Sequence, residues 1–167
     1  MSLAPFLNRH AGETAWLFGK GPGLNTFDLS QAGSLRVAIN DVAAHVPDVR
    51  YCFSNDGVAK WRDIYAPGQV LFQPLRALGE FDSTKEDAVA CEVVTYRDDW
   101  EDELLLQPRE RLAECLAVRR GTLGSAIQIL HIMGVARVVL VGIDGGNAHA
   151  EGYAWRTRLR REHWKDY

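Results

Sequence analysis

Cysteine is scarce in this chain. Cys52, Cys91 and Cys115 are odd in number and far apart, with neither a disulfide framework nor CxxC metal-ligand spacing. They read as small core hydrophobes in a reducing compartment, so a cytoplasmic setting is expected. No uninterrupted apolar run approaches the roughly 20 residues that span a bilayer. The opening MSLAPFLNRH lacks the basic start and long apolar centre of a secretory signal. An excess of one charge is missing too: the net charge of −3 gives no whole-chain reason to expect nucleic acid or a membrane surface. There is no internal repeat, linker or low-complexity segment.

What is present is a strand–helix alternation over 167 residues, long enough for one domain with a real core, residues 1–167. TAWLFG, LRVAIND and VRYCFSND read as three strands, followed by a helical stretch, GVAKWRDIY, that ends at Ala66-Pro67-Gly68. QVLFQPL and AVACEVVTY read as two more strands, in an order the sequence does not reveal. Acidic DDWEDE is expected to open a helix, where its charge suits the N-terminal end. GTLGSAIQILHIMG reads as a helix and ARVVLVGID as a strand, whose apolar run predicts burial on both faces. Such alternation predicts an α/β, Rossmann-like doubly wound domain, its sheet mostly parallel and covered by helices on both faces.

Ligands of such sheets bind beyond the carboxyl ends of the strands. Here those ends are Gly19-Lys20-Gly21, Asn40-Asp41, Ser54-Asn55-Asp56 and Gly142-Ile143-Asp144-Gly145-Gly146. Gly, Asn and Asp are also ordinary turn residues. GKGPGL is not a Walker A loop, because Gly21 follows Lys20 where Ser or Thr is needed. The dinucleotide fingerprint is met at Gly19 and Gly21, but its last glycine position holds Leu24. Asp41 lies at about the distance expected of that motif's ribose-binding acid. The more general expectation is a turn that offers backbone N–H groups to a phosphate. Lys20 is either an added positive charge there or a solvated surface lysine.

GKGPGL, AIND, FSND and GTLGSAIQILHIMG-ARVVLVGID, in that order, resemble the bacterial sialyltransferases that modify lipooligosaccharide. They are similar, too, to a related family that includes 6-hydroxymethylpterin diphosphokinase-like proteins. The resemblance covers roughly the first third of the chain and residues 121–146. It implies a Rossmann-like nucleotide site. Gly19, Lys20, Gly21 and Pro22 would form the loop, Asn40 and Asn55 would hold a cytidine nucleotide, and Thr122 at the late helix would meet its phosphate. Asp144 would sit beside the same crevice. A helix N-terminus also suits a phosphate on physical grounds, although Thr122 by itself reads as an N-cap. The family's loop has Asn where Lys20 stands and Ser where Gly23 stands. The sialyltransferases continue into a lid and acceptor region that carries a histidine base, and this sequence runs only a short way past GID. His149 is the nearest candidate for a base. His131 instead joins Gly124 and Gln128 in a polar stripe. His149 and His163 lack metal-ligand spacing, so no resident metal is expected.

The segment 151–167 is basic and aromatic, and is expected to be a C-terminal helix docked by Trp155 and Leu159 with a solvated arginine side. Its alternative is a basic patch for a phosphorylated acceptor, an acidic glycan or a peripheral anionic surface. DDWEDE is a candidate partner for it, within the chain or across a homo-oligomer. Three functions follow. One is a nucleotide-dependent transferase using a nucleotide-sugar donor. Another is an ATP-dependent diphosphokinase with Mg²⁺ on carboxylates such as Asp41, Asp56 or Asp144. The last is a non-catalytic nucleotide-binding or structural protein.

Overall fold

The structure is a computed structural model that describes residues 2–55, 63–75, 90–99, 107–117 and 121–144. Its strands are β1 (Thr14–Phe18), β2 (Arg36–Ile39), β3 (Val49–Phe53), β4 (Val70–Pro74), β5 (Glu92–Tyr96), β6 (Asp98–Asp99), β7 (Leu116–Ala117) and β8 (Arg137–Val141). The α-helices are α1 (Arg109–Leu112) and α2 (Thr122–Ile132). Six strands form one all-parallel sheet in the order β5-β4-β3-β2-β1-β8, and β6 pairs with β7 in a separate parallel ribbon. The chain thus builds outward from β1 to β5, then returns to place β8 on the other side of β1. That reversal makes the domain Rossmann-like and doubly wound.

Strict alternation gives the sheet its two faces. Ala15 and Leu17, Val37 and Ile39, Tyr51 and Phe53, and Val70 and Phe72 all point to one side. There they pack against Ala126, Ile129 and Leu130 of α2 and its C-cap Met133, Leu112 of α1, and Leu3 and Phe6 of the N-terminal segment. Phe18, Ala38, Cys52 and Leu71 point to the opposite side, under Val42, Ala43, Val46 and Tyr65. Among the described residues that second layer includes the 3-10 turn Asn40–Ala44. Each Val, Leu, Ile, Phe or Met side chain enclosed this way contributes about 1.5–3 kcal/mol.

The N-terminal segment is clasped to the opposite, amino edge of the sheet. His10 bridges Glu13 (Nδ1 to Oε1, 2.9 Å) and the fully buried Tyr51 hydroxyl (Nε2 to Oη, 2.8 Å). Asn8 N–H donates to Ile132 O, and Gly12 N–H to Gly134 O. These contacts place the C-terminal end of α2 at the amino edge. Its N-terminal end therefore lies at the carboxyl edge, over β2 and β3.

Several expectations need correction. Asn40-Asp41 are not the end of β2 but the start of a 3-10 turn, because Asn40 adopts φ 54° and breaks the extended chain. Asp98–Asp99 form β6 rather than open a helix; residues 100–106 lie outside the described set. The strand expected over 88–96 begins at Glu92, after a bend at Ala90 and Cys91. The helix expected over 57–65 falls mostly outside the described residues, and Asp63 and Ile64 form a turn. β8 is an edge strand among the described residues, flanked by β1 alone, and Leu140 is 48% exposed rather than buried. The apolar run misleads because β8 lies at the edge of the sheet, while α2 makes its main strand contacts with β2 and β3. No helix among the described residues is long and apolar enough to cross a membrane.

Candidate functional site

A parallel sheet brings every carboxyl end to one edge, so the described residues that follow β1, β2, β3 and β8 lie toward that edge. The reversal of strand order lies between β1 and β8. There the two chains stay zipped beyond the strands. Gly19 N–H donates to Val141 O (2.8 Å), Gly21 N–H to Gly142 O (2.5 Å) and Gly23 N–H to Asp144 Oδ2 (2.9 Å). Leu24 N–H then turns back onto Gly21 O, closing the 3-10 turn Pro22–Asn25, with Pro22 at its start.

This zipper explains the glycines. A Cβ on Gly19 would stand 2.6 Å from Ile143 Cγ1 and 2.9 Å from Gly142 O, and one on Gly21 would run into Asp144 Oδ2. Gly142 itself needs φ 64°, and a Cβ there would lie 2.6 Å from Gly19 O. The loop was expected to offer its N–H groups to a phosphate. In the structure those of Gly19, Gly21, Gly23 and Leu24 are all donated within the chain. Close approach of two strand ends is what the bare backbone serves.

Lys20 is neither a solvated lysine nor an unneutralised charge. Its ammonium meets Asp41 Oδ1 at 2.5 Å, and the side chains are only 15% and 8% exposed. The pair joins the ends of β1 and β2. Beside it, Asn40 sits in the left-handed region, which Asn tolerates better than most residues. Its carbonyl accepts from Tyr65 Oη (3.5 Å), while its Oδ1 is enclosed and accepts no hydrogen bond among the described residues. Burial pushes the Tyr65 hydroxyl far above its ordinary range, with Cys52 adding to the effect. Burial also lowers His45, partly offset by the Asp41 carboxylate. Asn55 is held by β5: its Oδ1 accepts from Tyr96 Oη at 3.2 Å.

α2 brings its first turn to the same edge. Its N-cap is Gly121, at φ 82° and with no side-chain cap bond, so Thr122 is the first helical residue and not the N-cap. Uncapped N–H groups and the positive end of the helix dipole make such a terminus receptive to an anion. Ser125, fully buried in this first part of α2, has an Oγ with no hydrogen-bond partner among the described residues.

The structure thus joins Lys20 to Asp41, and Gly19, Gly21 and Gly23 to the Gly142–Asp144 turn. It places Asn40, Asn55 and Thr122 on the same edge. Asp56, His149, His163 and segment 151–167 lie outside the described residues. Tyr65, Tyr96 and Ser125 were not anticipated. Ser125 had a signal, since a hydroxyl on the stripe shared with Ile129 and Ile132 interrupts an apolar face. The tyrosines had none. All three cysteines are free of disulfides, as expected. No protein-family model matches this chain, and neither curated proteins nor solved structures give a match.

Proposed function

We propose that this chain is a nucleotide-dependent transferase, of the glycosyltransferase type that the sialyltransferase-like motifs suggest, with a nucleotide-sugar as donor. The observation that carries the reading is Asn40. A left-handed residue with an enclosed, unpartnered Oδ1 at the carboxyl edge is costly, and such strain and lost hydrogen bonding collect at ligand sites. A nucleotide supplying an N–H or O–H donor there would satisfy it. Its phosphate would lie at the uncapped start of α2, by Gly121 and Thr122. Gly19, Gly21 and Pro22 then act as a wall of the site. Asn55 presents its amide from the β3 end, and His149 is the proposed base for the acceptor hydroxyl.

A diphosphokinase with Mg²⁺ is less well supported, because Asp41 is committed to Lys20. Calorimetry with CMP, CDP, ATP, UDP and NAD, each with and without Mg²⁺, tests the reading. Metal-independent binding of CMP, weakened at least roughly tenfold by Asn40→Ala, is the expected result. Mg²⁺-dependent ATP binding would favour the diphosphokinase. Absence of any binding at millimolar nucleotide would leave a Rossmann-like scaffold with no nucleotide role.

A further inference from the structure

Beyond β1 the bonds toward β8 run in order from Gly19 to Val141 O, from Gly21 to Gly142 O, and then from Gly23 to a side chain, Asp144 Oδ2. That last bond pins an exposed carboxylate on the loop, at the point where strand order reverses. Among the described residues Gly23 N–H is its one hydrogen-bond donor, and no described cation pairs with it. The nearby ammonium of Lys20 is committed to Asp41. A phosphate arriving here meets a negative charge and loop amides already donated. A hydroxyl meets an oriented acceptor, because carboxylate oxygens accept more than one hydrogen bond.

Dinucleotide-binding folds commonly use an acid after the second strand for the ribose hydroxyls. Asp41 holds that position here and is tied to Lys20. We infer that Asp144, reaching in from the other side of the reversal, is the residue that reads the sugar hydroxyls of the ligand. The nucleoside end of the nucleotide lies against the glycine loop, and the phosphate points away from it, toward α2. This rests on the nucleotide-binding reading above and gives the glycine loop a role opposite to that of a phosphate cradle.

The test compares CMP and ATP with their dideoxy counterparts, which lack both ribose hydroxyls, by calorimetry on the full chain. A hydrogen bond to a charged group corresponds to roughly a tenfold or larger factor in affinity. The wild-type chain should therefore prefer the ribonucleotide by at least about that factor. Asp144→Ala should bring it down to the dideoxy level while leaving dideoxy affinity unchanged. Gly23→Ala gives an independent check: its Cβ would stand 2.8 Å from Asp144 Oδ1, displacing the carboxylate without removing it, and selectivity should fall. Should Asp144→Ala lose its far-ultraviolet circular dichroism, Gly23→Ala and Asp144→Asn decide the matter. Equal affinity for ribo and dideoxy forms in the wild type, or equal weakening of both by Asp144→Ala, overturns the inference alone. Failure of both ribonucleotides to bind overturns the functional reading beneath it.

Discussion

Replacing Lys20 with Met keeps most of the stem and removes the ammonium. Asp41, with its side chain 8% exposed, would then stand as an uncompensated carboxylate between the ends of β1 and β2. Breaking a fully buried pair in this way costs about 3–5 kcal/mol. Because Lys20 keeps 15% exposure, water retains some access, and a loss of about 2–4 kcal/mol is the better figure. Asp41→Asn removes the other charge and strands the ammonium less severely, since a long stem can swing toward solvent. The double variant Lys20→Met/Asp41→Asn leaves no buried charge and should fall within about 1 kcal/mol of the wild type. The coupling read from this cycle is therefore about 2 kcal/mol. Urea unfolding at neutral pH measures all four chains. With a slope near 2 kcal/mol/M, the Lys20→Met midpoint should drop by about 1–2 M with the slope itself unchanged. A loss below about 0.5 kcal/mol, as for an exposed lysine, would refute the pairing and return Lys20 to the surface. A double variant as unstable as the sum of the singles would refute it equally.

Gly21→Ala should cost about 1–3 kcal/mol or more in the same unfolding assay, because its Cβ would also lie 2.7 Å from the Gly142 carbonyl, which is backbone and cannot swing aside. Gly23→Ala meets only the Asp144 carboxylate and should cost clearly less; equal losses would mean the zipper is not what needs the glycines. For pH, burial lowers both His45 and His131, with Asp41 opposing the shift at His45 and Arg109 adding to it at His131. The unfolded chain therefore binds protons first, so stability should decline as pH falls through the ordinary histidine value of 6.5, and His45→Gln should flatten that slope. An unchanged slope in that variant would remove His45 from the account. Burial, then proximity to Cys91, pushes the Cys52 thiol up, so in the native chain it should resist a thiol reagent and react only at the rate of unfolding. Modification of Cys52 within mixing time would contradict the packing beneath Tyr65.

The parts of the fold that were legible are those where one residue type decides one face. TAWLF and VRYCF alternate cleanly, and each delivers its two sets of side chains to the two cores. Strand ends rich in Gly, Asn and Asp fall at the carboxyl edge, since any parallel sheet gathers its strand ends there. Partner choice was hidden. Whether Lys20 faces solvent, a phosphate or Asp41 depends on β1 lying next to β2, and periodicity carries no record of which strands are neighbours. The glycines of GKGPG signal bare backbone, but what approaches them is the turn Gly142–Asp144. The RVVLV run of β8 would look the same in a central strand or an edge. Thr122 looked like an N-cap by residue type, yet the positive φ of Gly121 moved the cap one residue earlier.

The zipper between the two strand ends has a consequence for how the chain acquires its shape. Gly23 and Asp144 are 121 residues apart in sequence; β1 to β5 pair with one another in chain order, and β1 pairs in addition with the distant β8. A chain emerging from the ribosome can lay down those five strands in order, but one edge of β1 must wait bare until β8 arrives. Closing so long a loop is entropically slow and weighs on the folding rate more than on final stability. The candidate site at this junction is thus finished late, and a nascent chain halted before β8 would carry its glycine turn without any of the three bonds that tie it to Val141, Gly142 and Asp144.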